Sequence, residues 1–151
     1  MAALVEANAA RMNEQLHHGL AREGSVRHTL EAFAAHLLTL LVSPTSVAIN
    51  RAAIAELPGS AVMAQALLEH GRRASGALAE RYLAGCMERG LLPRADPARA
   101  FELLYGLTVQ DTQIRCLLGE APPGAAAIER QAAHAVRRFV HLLEVEGRPS
   151  P

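Results

Sequence analysis

Apolar residues recur at helical spacing along almost the whole chain. Val5, Ala9, Met12 and Leu16 make the stripe of a first helix over about residues 3–18, with Gly19 near its end. After the turn "REGS", Val26, Leu30, Phe33, Ala34, Leu37 and Leu41 mark a second helix over about 26–42. Its last third is apolar all round, which predicts a central place in the fold. "SPTS" interrupts the pattern: Ser43 is a capping residue and Pro44 suits a first helical position. The third helix then runs to about Glu56, where "LPGS" ends it.

Ser60 opens a long fourth segment, about 61–89, containing Gly71 and Gly76. Each glycine costs about 1 kcal/mol relative to Ala inside a helix, so the segment should kink or break near Gly71, giving a short helix and then a long one. Gly90 has the position of a C-terminal cap, and Asp96-Pro97 the form of a helix start. A fifth helix is predicted over about 97–118, then the turn "GEAPPG", then a sixth over about 125–145. On the sixth, Ile128, Ala132, Ala135, Val136, Phe139, Val140 and Leu143 share one face, opposite Arg130, His134, Arg137, Arg138 and His141. No repeat and no strand alternation interrupts this. The fold class is all-α, a bundle of about six to seven helices. The body covers 1–146, and 147–151 ("GRPSP") is a tail expected to fray.

The fifth helix carries two non-solvent faces. Leu103, Leu104, Leu107, Ile114 and Leu118 form one; Phe101, Tyr105, Thr108 and Thr112 form an amphipathic second, with Gly106 between them. One face can meet the domain's own interior and the other a partner helix. Asp111 and Arg115 are an i,i+4 pair suited to the surface.

Composition sharpens the picture. Half of the 151 residues are hydrophobic but only 3% are aromatic, and the formal net charge is zero. All basic residues other than histidine are Arg. A neutral chain without a basic stripe is a poor nucleic-acid ligand by itself, since nonspecific affinity comes from neutralising phosphates. Cys86 and Cys116 sit inside helical patterns and read as free core thiols of a reducing compartment. No leader pattern opens the sequence, and the longest apolar run, Ala32–Val42, contains His36 and is too short to span a bilayer. The expectation is a cytoplasmic protein without a membrane partner.

Catalytic chemistry finds little support. Glu14 and His17 form one E-x-x-H, but a di-iron bundle needs two such motifs and two more carboxylates. No H-E-x-x-H, C-x-x-C, G-x-S-x-G or phosphate-cradling loop is present. No metal, cofactor or enzymatic activity is expected. His36, a polar group in the most apolar helix, is either a hydrogen-bonded core histidine or a polar contact inside a ligand cavity.

The ordered set "NRAAIAELP", "ALLEHG" and "RGLLPRADPARAF", within Ile49–Leu107, resembles the C-terminal domain of TetR-family transcriptional regulators, in the subgroup named after AefR. The resemblance implies a domain that surrounds a small-molecule cavity with its central helices and dimerises through its last two long helices. It implies a small, largely apolar effector, with Phe33, His36, Leu37, Met63, Leu67, Tyr82, Tyr105 and Thr108 as the candidate ligand-binding residues. It places Gly106, Ile114, Ile128, Ala132, Val136 and Phe139 at the interface of a homodimer. The family's helix-turn-helix is not found: the sequence starts at "ALVEANAARMNEQL", where that domain would end, so DNA contact is expected only through a helix-turn-helix absent from it. The alternative is a stand-alone helical small-molecule-binding protein without a DNA role.

Overall fold

A computed structural model describes residues 2–21, 24–148 and 150. Arg22 and Glu23 of the turn "REGS", and Pro149 and Pro151 of the tail, lie outside the described residues, as does Met1. The elements are α1 (Ala2–Leu20), α2 (Val26–Leu41), α3 (Pro44–Glu56), α4 (Val62–Ala66), a π-helical segment (Leu67–Arg73), α5 (Ala74–Glu88), α6 (Pro97–Val109), α7 (Thr112–Leu117) and α8 (Ala125–Glu146). No strand occurs among the described residues, and the chain is all-α.

The sequence explains most boundaries. Ser25 Oγ accepts from the amide of His28 at 3.1 Å, and Ser43 Oγ from that of Ser46 at 3.2 Å, so both hydroxyls cap helices. Asp96 caps α6, with Pro97 at its first position. Gly90, at φ 72°, closes α5: Leu91 N donates to Cys86 O and Gly90 N to Met87 O, the paired bonds of a Schellman motif. Ser60 acts one residue further out than expected, its Oγ accepting from Val62 N at 3.3 Å while Ala61 holds the cap position.

Two elements depart from the sequence reading. The long fourth segment does divide around Gly71 into a short helix and a long one, but the chain does not leave the helix between them. It runs through α4, the π-helical segment and α5, and absorbs the glycine by widening to i→i+5 bonding. The fifth helix, expected over 97–118, is broken. Gln110 takes φ 49° and ψ −131°, a conformation that side-chain-bearing residues rarely adopt, and separates α6 from α7. The break frees backbone groups that other elements satisfy. Gln131 of α8 donates to Thr108 O at 2.7 Å and to Thr112 Oγ1 at 3.0 Å. Arg51 of α3 caps the far end of α7, donating to Leu117 O at 2.9 Å and Cys116 O at 3.0 Å, where the helix dipole favours a cation.

The main core lies between α2, α5, α6 and α8. Phe33, Leu83, Phe101, Leu104, Val136 and Phe139 are all buried there, each such side chain contributing about 1.5–3 kcal/mol of apolar transfer. Cys86 is buried in this core and Cys116 in a smaller cluster with Leu38, Val42 and Ile128. No single helix among the described residues is long and apolar enough to cross a membrane. The apolar pair α2 and α3 is bent by 57°.

The stripe on α8 is taken up inside the chain. Ile128, Ala132, Val136 and Phe139 are at most 5% exposed, because α8 lies along α2 and α6. These four side chains, expected at a dimer interface, reach no surface that a second copy could touch. Gly106 and Ile114 are exposed, and so is Leu118.

Candidate functional site: a cavity between α1 and the π-helical segment

A cavity of about 290 Å³ opens where α1, α2, α3, the π-helical segment, α5, α6 and α7 meet. Such a volume is at the small end of ligand pockets. On α1, Val5, Asn8, Ala9, Met12 and Asn13 line it, spaced i, i+3, i+4, i+7, i+8 along one helical stripe. Leu37 and Leu41 of α2 and Ile49 of α3 supply apolar wall. The π-helical segment supplies Leu67, Leu68, Gly71 and Arg72, two adjacent pairs one π-turn apart. Tyr105 of α6 and Gln113 of α7 complete the lining, on either side of the break at Gln110.

Its polar groups are partly committed to one another. Ser75 Oγ donates to Asn13 Oδ1 at 2.7 Å, and Asn13 Nδ2 donates to His70 O at 2.8 Å, tying α1 to the segment opposite. Asn50 Nδ2 donates to Ser46 O at 2.8 Å. The guanidinium of Arg72 lies 4.4 Å from the Tyr105 ring centroid and 4.7 Å from that of Phe101. Phe101 and Tyr105 meet edge to face at 5.9 Å. Burial pushes the Tyr105 phenol up from its ordinary value, against a smaller downward pull from Arg72, so it stays a neutral donor near pH 7.

Three of the eight expected ligand residues line this cavity: Leu37, Leu67 and Tyr105. Met63 packs behind its wall with Val5, Ile49, Ala53 and Ala66. Phe33 and His36 instead border a groove of about 640 Å³ on the outside of α1 and α2, with Gln15, Leu16, His18, Gly19 and Ala32. That groove is larger but is bordered by only two helices and lies open to solvent. His36 Nε2 is 3.2 Å from Gln15 Oε1, and burial lowers its pKa. Tyr82, half-buried on α5, is turned toward Thr29 and Cys86, and burial raises its pKa. Thr108 is wholly buried, and its hydroxyl has no hydrogen-bond partner among the described residues. It belongs to the dry core between α6 and α8.

The lining residues that sequence reasoning missed are half polar, Asn8, Asn13, Ser46, Asn50, Arg72, Ser75 and Gln113, and half apolar or glycine, Val5, Ala9, Met12, Leu41, Ile49, Leu68 and Gly71. A signal existed on α1, where Asn8 and Asn13 fall within the stripe of Val5, Ala9 and Met12. An amide among apolar positions of one stripe either finds a buried partner or faces a cavity.

The chain superposes with a TM-score of 0.86 on a crystal structure assigned to the TetR family of transcriptional regulators, from Mesorhizobium loti. The two are 20% identical, and the alignment covers 93% of this chain and 72% of that one. A TetR transcriptional regulator from Agrobacterium tumefaciens is 33% identical with a TM-score of 0.67, over 86% of this chain and 61% of its own length. Residues 28–142 match the model of the AefR-like transcriptional repressor C-terminal domain, and the chain belongs to that family. The family is one of transcriptional regulators, not of enzymes. No curated protein matches the sequence.

Proposed function

We propose that this chain is the effector-binding and dimerisation domain of a TetR-like regulator that acts as a ligand-released repressor in the cytoplasm. The observation that carries the reading is the cavity, enclosed by elements from α1 to α7 and walled by apolar side chains with a few polar ones. The effector is small and largely apolar, with a polar end. Five lining residues stand on α1, so a ligand that favours one packing of α1 against the π-helical segment biases the position of whatever is joined to that helix. DNA is contacted through a helix-turn-helix outside this sequence, which fits the chain's zero formal charge. The body of the domain is residues 1–146.

Dimerisation is supported by the family's way of assembling and by exposed apolar side chains on and just after α7, Ile114 at 51% and Leu118 at 80% exposure; Gly106 on α6 is exposed as well. The buried stripe of α8 is left to the core. Ile114→Glu with Leu118→Glu should produce a monomer in sedimentation while keeping helicity.

The cavity is tested by thermal melting against a panel of small amphipathic molecules. A ligand at about 100 times its Kd stabilises by about 2.7 kcal/mol, several degrees for a chain of this size. Asn8→Trp, which fills the cavity from a half-buried position, should keep the parent's melting point and lose the response. A panel with no hit on the parent, or hits unaffected by Asn8→Trp, sinks the reading.

A further inference from the structure

Arg72 and Arg73 are neighbours in sequence with opposite fates. Arg73 points outward and pairs with Glu69 at 2.6 Å. Arg72 points to the cavity, and among the described residues no carboxylate lies within 4.0 Å of it and no acceptor bonds its guanidinium. No acidic side chain lines the cavity. The guanidinium carbon lies over both rings instead, and a contact of this kind consumes none of its N–H donors.

The backbone makes room for this arrangement. Gly76 is buried one turn beyond Arg72, and a Cβ there would stand 3.1 Å from Arg72 Nη1 and 3.3 Å from Phe101 Cε1. A side chain at position 76 would force the guanidinium or the Phe101 ring to give by a few tenths of an ångström. The aromatic floor and the bare glycine thus hold one half-buried cation at the cavity wall, with no carboxylate within 4.0 Å among the described residues.

We propose that the effector is a small carboxylate with an apolar body, its carboxylate bound in the plane of the Arg72 guanidinium and its body against Val5, Ala9, Leu37, Ile49 and Leu67. A planar fork matches a carboxylate by two parallel charge-assisted bonds. A single cation suits a single negative charge. The Tyr105 hydroxyl beside it is a further donor, and the apolar wall on α1, α2 and α3 takes the tail. The inference rests on the effector-binding reading and names the chemistry its ligand carries.

The test is a titration of the full chain, followed by NMR shifts of α1 and the π-helical segment, with octanoate, octanamide, octanol and inorganic phosphate. Octanoate should bind the parent roughly tenfold or more tighter than octanamide, and Arg72→Gln should abolish that preference while leaving octanamide within about twofold. Arg72→Lys keeps the charge without the plane and should fall between parent and Arg72→Gln. Arg73→Gln, whose side chain pairs outside the cavity, should leave the preference intact. If Arg72 only packs over the rings, none of these changes moves the octanoate-to-octanamide ratio, and the inference is overturned. Equal binding of octanoate and octanamide by the parent overturns it too, as does phosphate competing as well as octanoate. Octanol shifting the cavity residues without a carboxylate preference leaves the effector-binding reading standing alone. No shift at those residues from any probe removes both.

Discussion

The two sides of α2 are built from different material. Toward α8 the interior is dry: Leu104, Val136 and Phe139 are at most 1% exposed, and the wholly buried polar side chain is Thr108. Toward α1, α3 and the π-helical segment the interior is hollow, and amides, hydroxyls and an arginine share the wall with leucines. The dry side is held by the close fit of apolar surfaces, where any lost volume is felt. The hollow side is held by a few hydrogen bonds between elements, and its empty space implies that packing there was not maximised. Stability and recognition thus occupy opposite faces of one helix, and substitutions should separate them.

The largest effect is expected on the dry side. Phe139→Ala removes a ring from a fully buried position and should cost about 3–5 kcal/mol, read as a fall in the urea midpoint. A loss below about 1 kcal/mol would mean that α8 does not pack on α2 and α6 as described. On the hollow side, Asn13→Ala breaks the bonds from Ser75 and to the His70 carbonyl. Both orphaned groups lie next to a cavity that water can enter, so the cost should be about 1 kcal/mol. The same substitution should change the melting response to cavity ligands, which Phe139→Ala should leave in place wherever the variant remains folded. Similar costs for the two would erase the distinction between the faces.

Thr108 tests the dry side from the opposite direction. Its hydroxyl is buried without a partner, and a buried unsatisfied polar group costs about 1–3 kcal/mol. Thr108→Val keeps the branched shape and removes the hydroxyl. It should stabilise by up to about 1 kcal/mol, with no change in ligand response, because residue 108 does not line the cavity. Destabilisation would show that the hydroxyl is satisfied after all.

The contrast between the faces also sets what the sequence could disclose. Helix boundaries were legible where Ser43, Asp96 and Gly90 occupy the positions that capping physics demands. The dry core was legible as periodicity, but periodicity states only that a face is apolar, not what covers it. The α8 stripe fitted a partner chain as well as it fits α2. The break at Gln110 has no glycine or proline to announce it, and a side chain at φ 49° is what a local reading excludes. The hollow side was hardest, because Asn8, Asn13 and Asn50 belong to residue types that usually mark solvent. Arg72 is indistinguishable by type from Arg73, and only the widened π-helical register and the space at Gly76 turn one inward.

The smallest effect concerns His36, outside the cavity on the α1–α2 groove. Burial lowers its pKa in the folded chain below the ordinary value near 6.5, so folding favours the neutral ring. Below about pH 6.5 the unfolded chain binds this proton more readily than the folded one, and stability must fall on acidification until the lowered folded pKa is passed. Above that range the ring is neutral in both states and contributes no slope. The contact with Gln15 at 3.2 Å can be kept by an uncharged amide, so His36→Gln preserves the hydrogen bond while removing the titration. The urea midpoints of parent and variant should therefore run parallel above pH 7 and converge or cross toward pH 5, the parent losing more. Because the ring is only half-buried, solvent screens the penalty and the difference should be small. A parent that gains stability relative to His36→Gln on acidification would show that the imidazolium is favoured in the folded state, with Gln15 and the groove acting as its host.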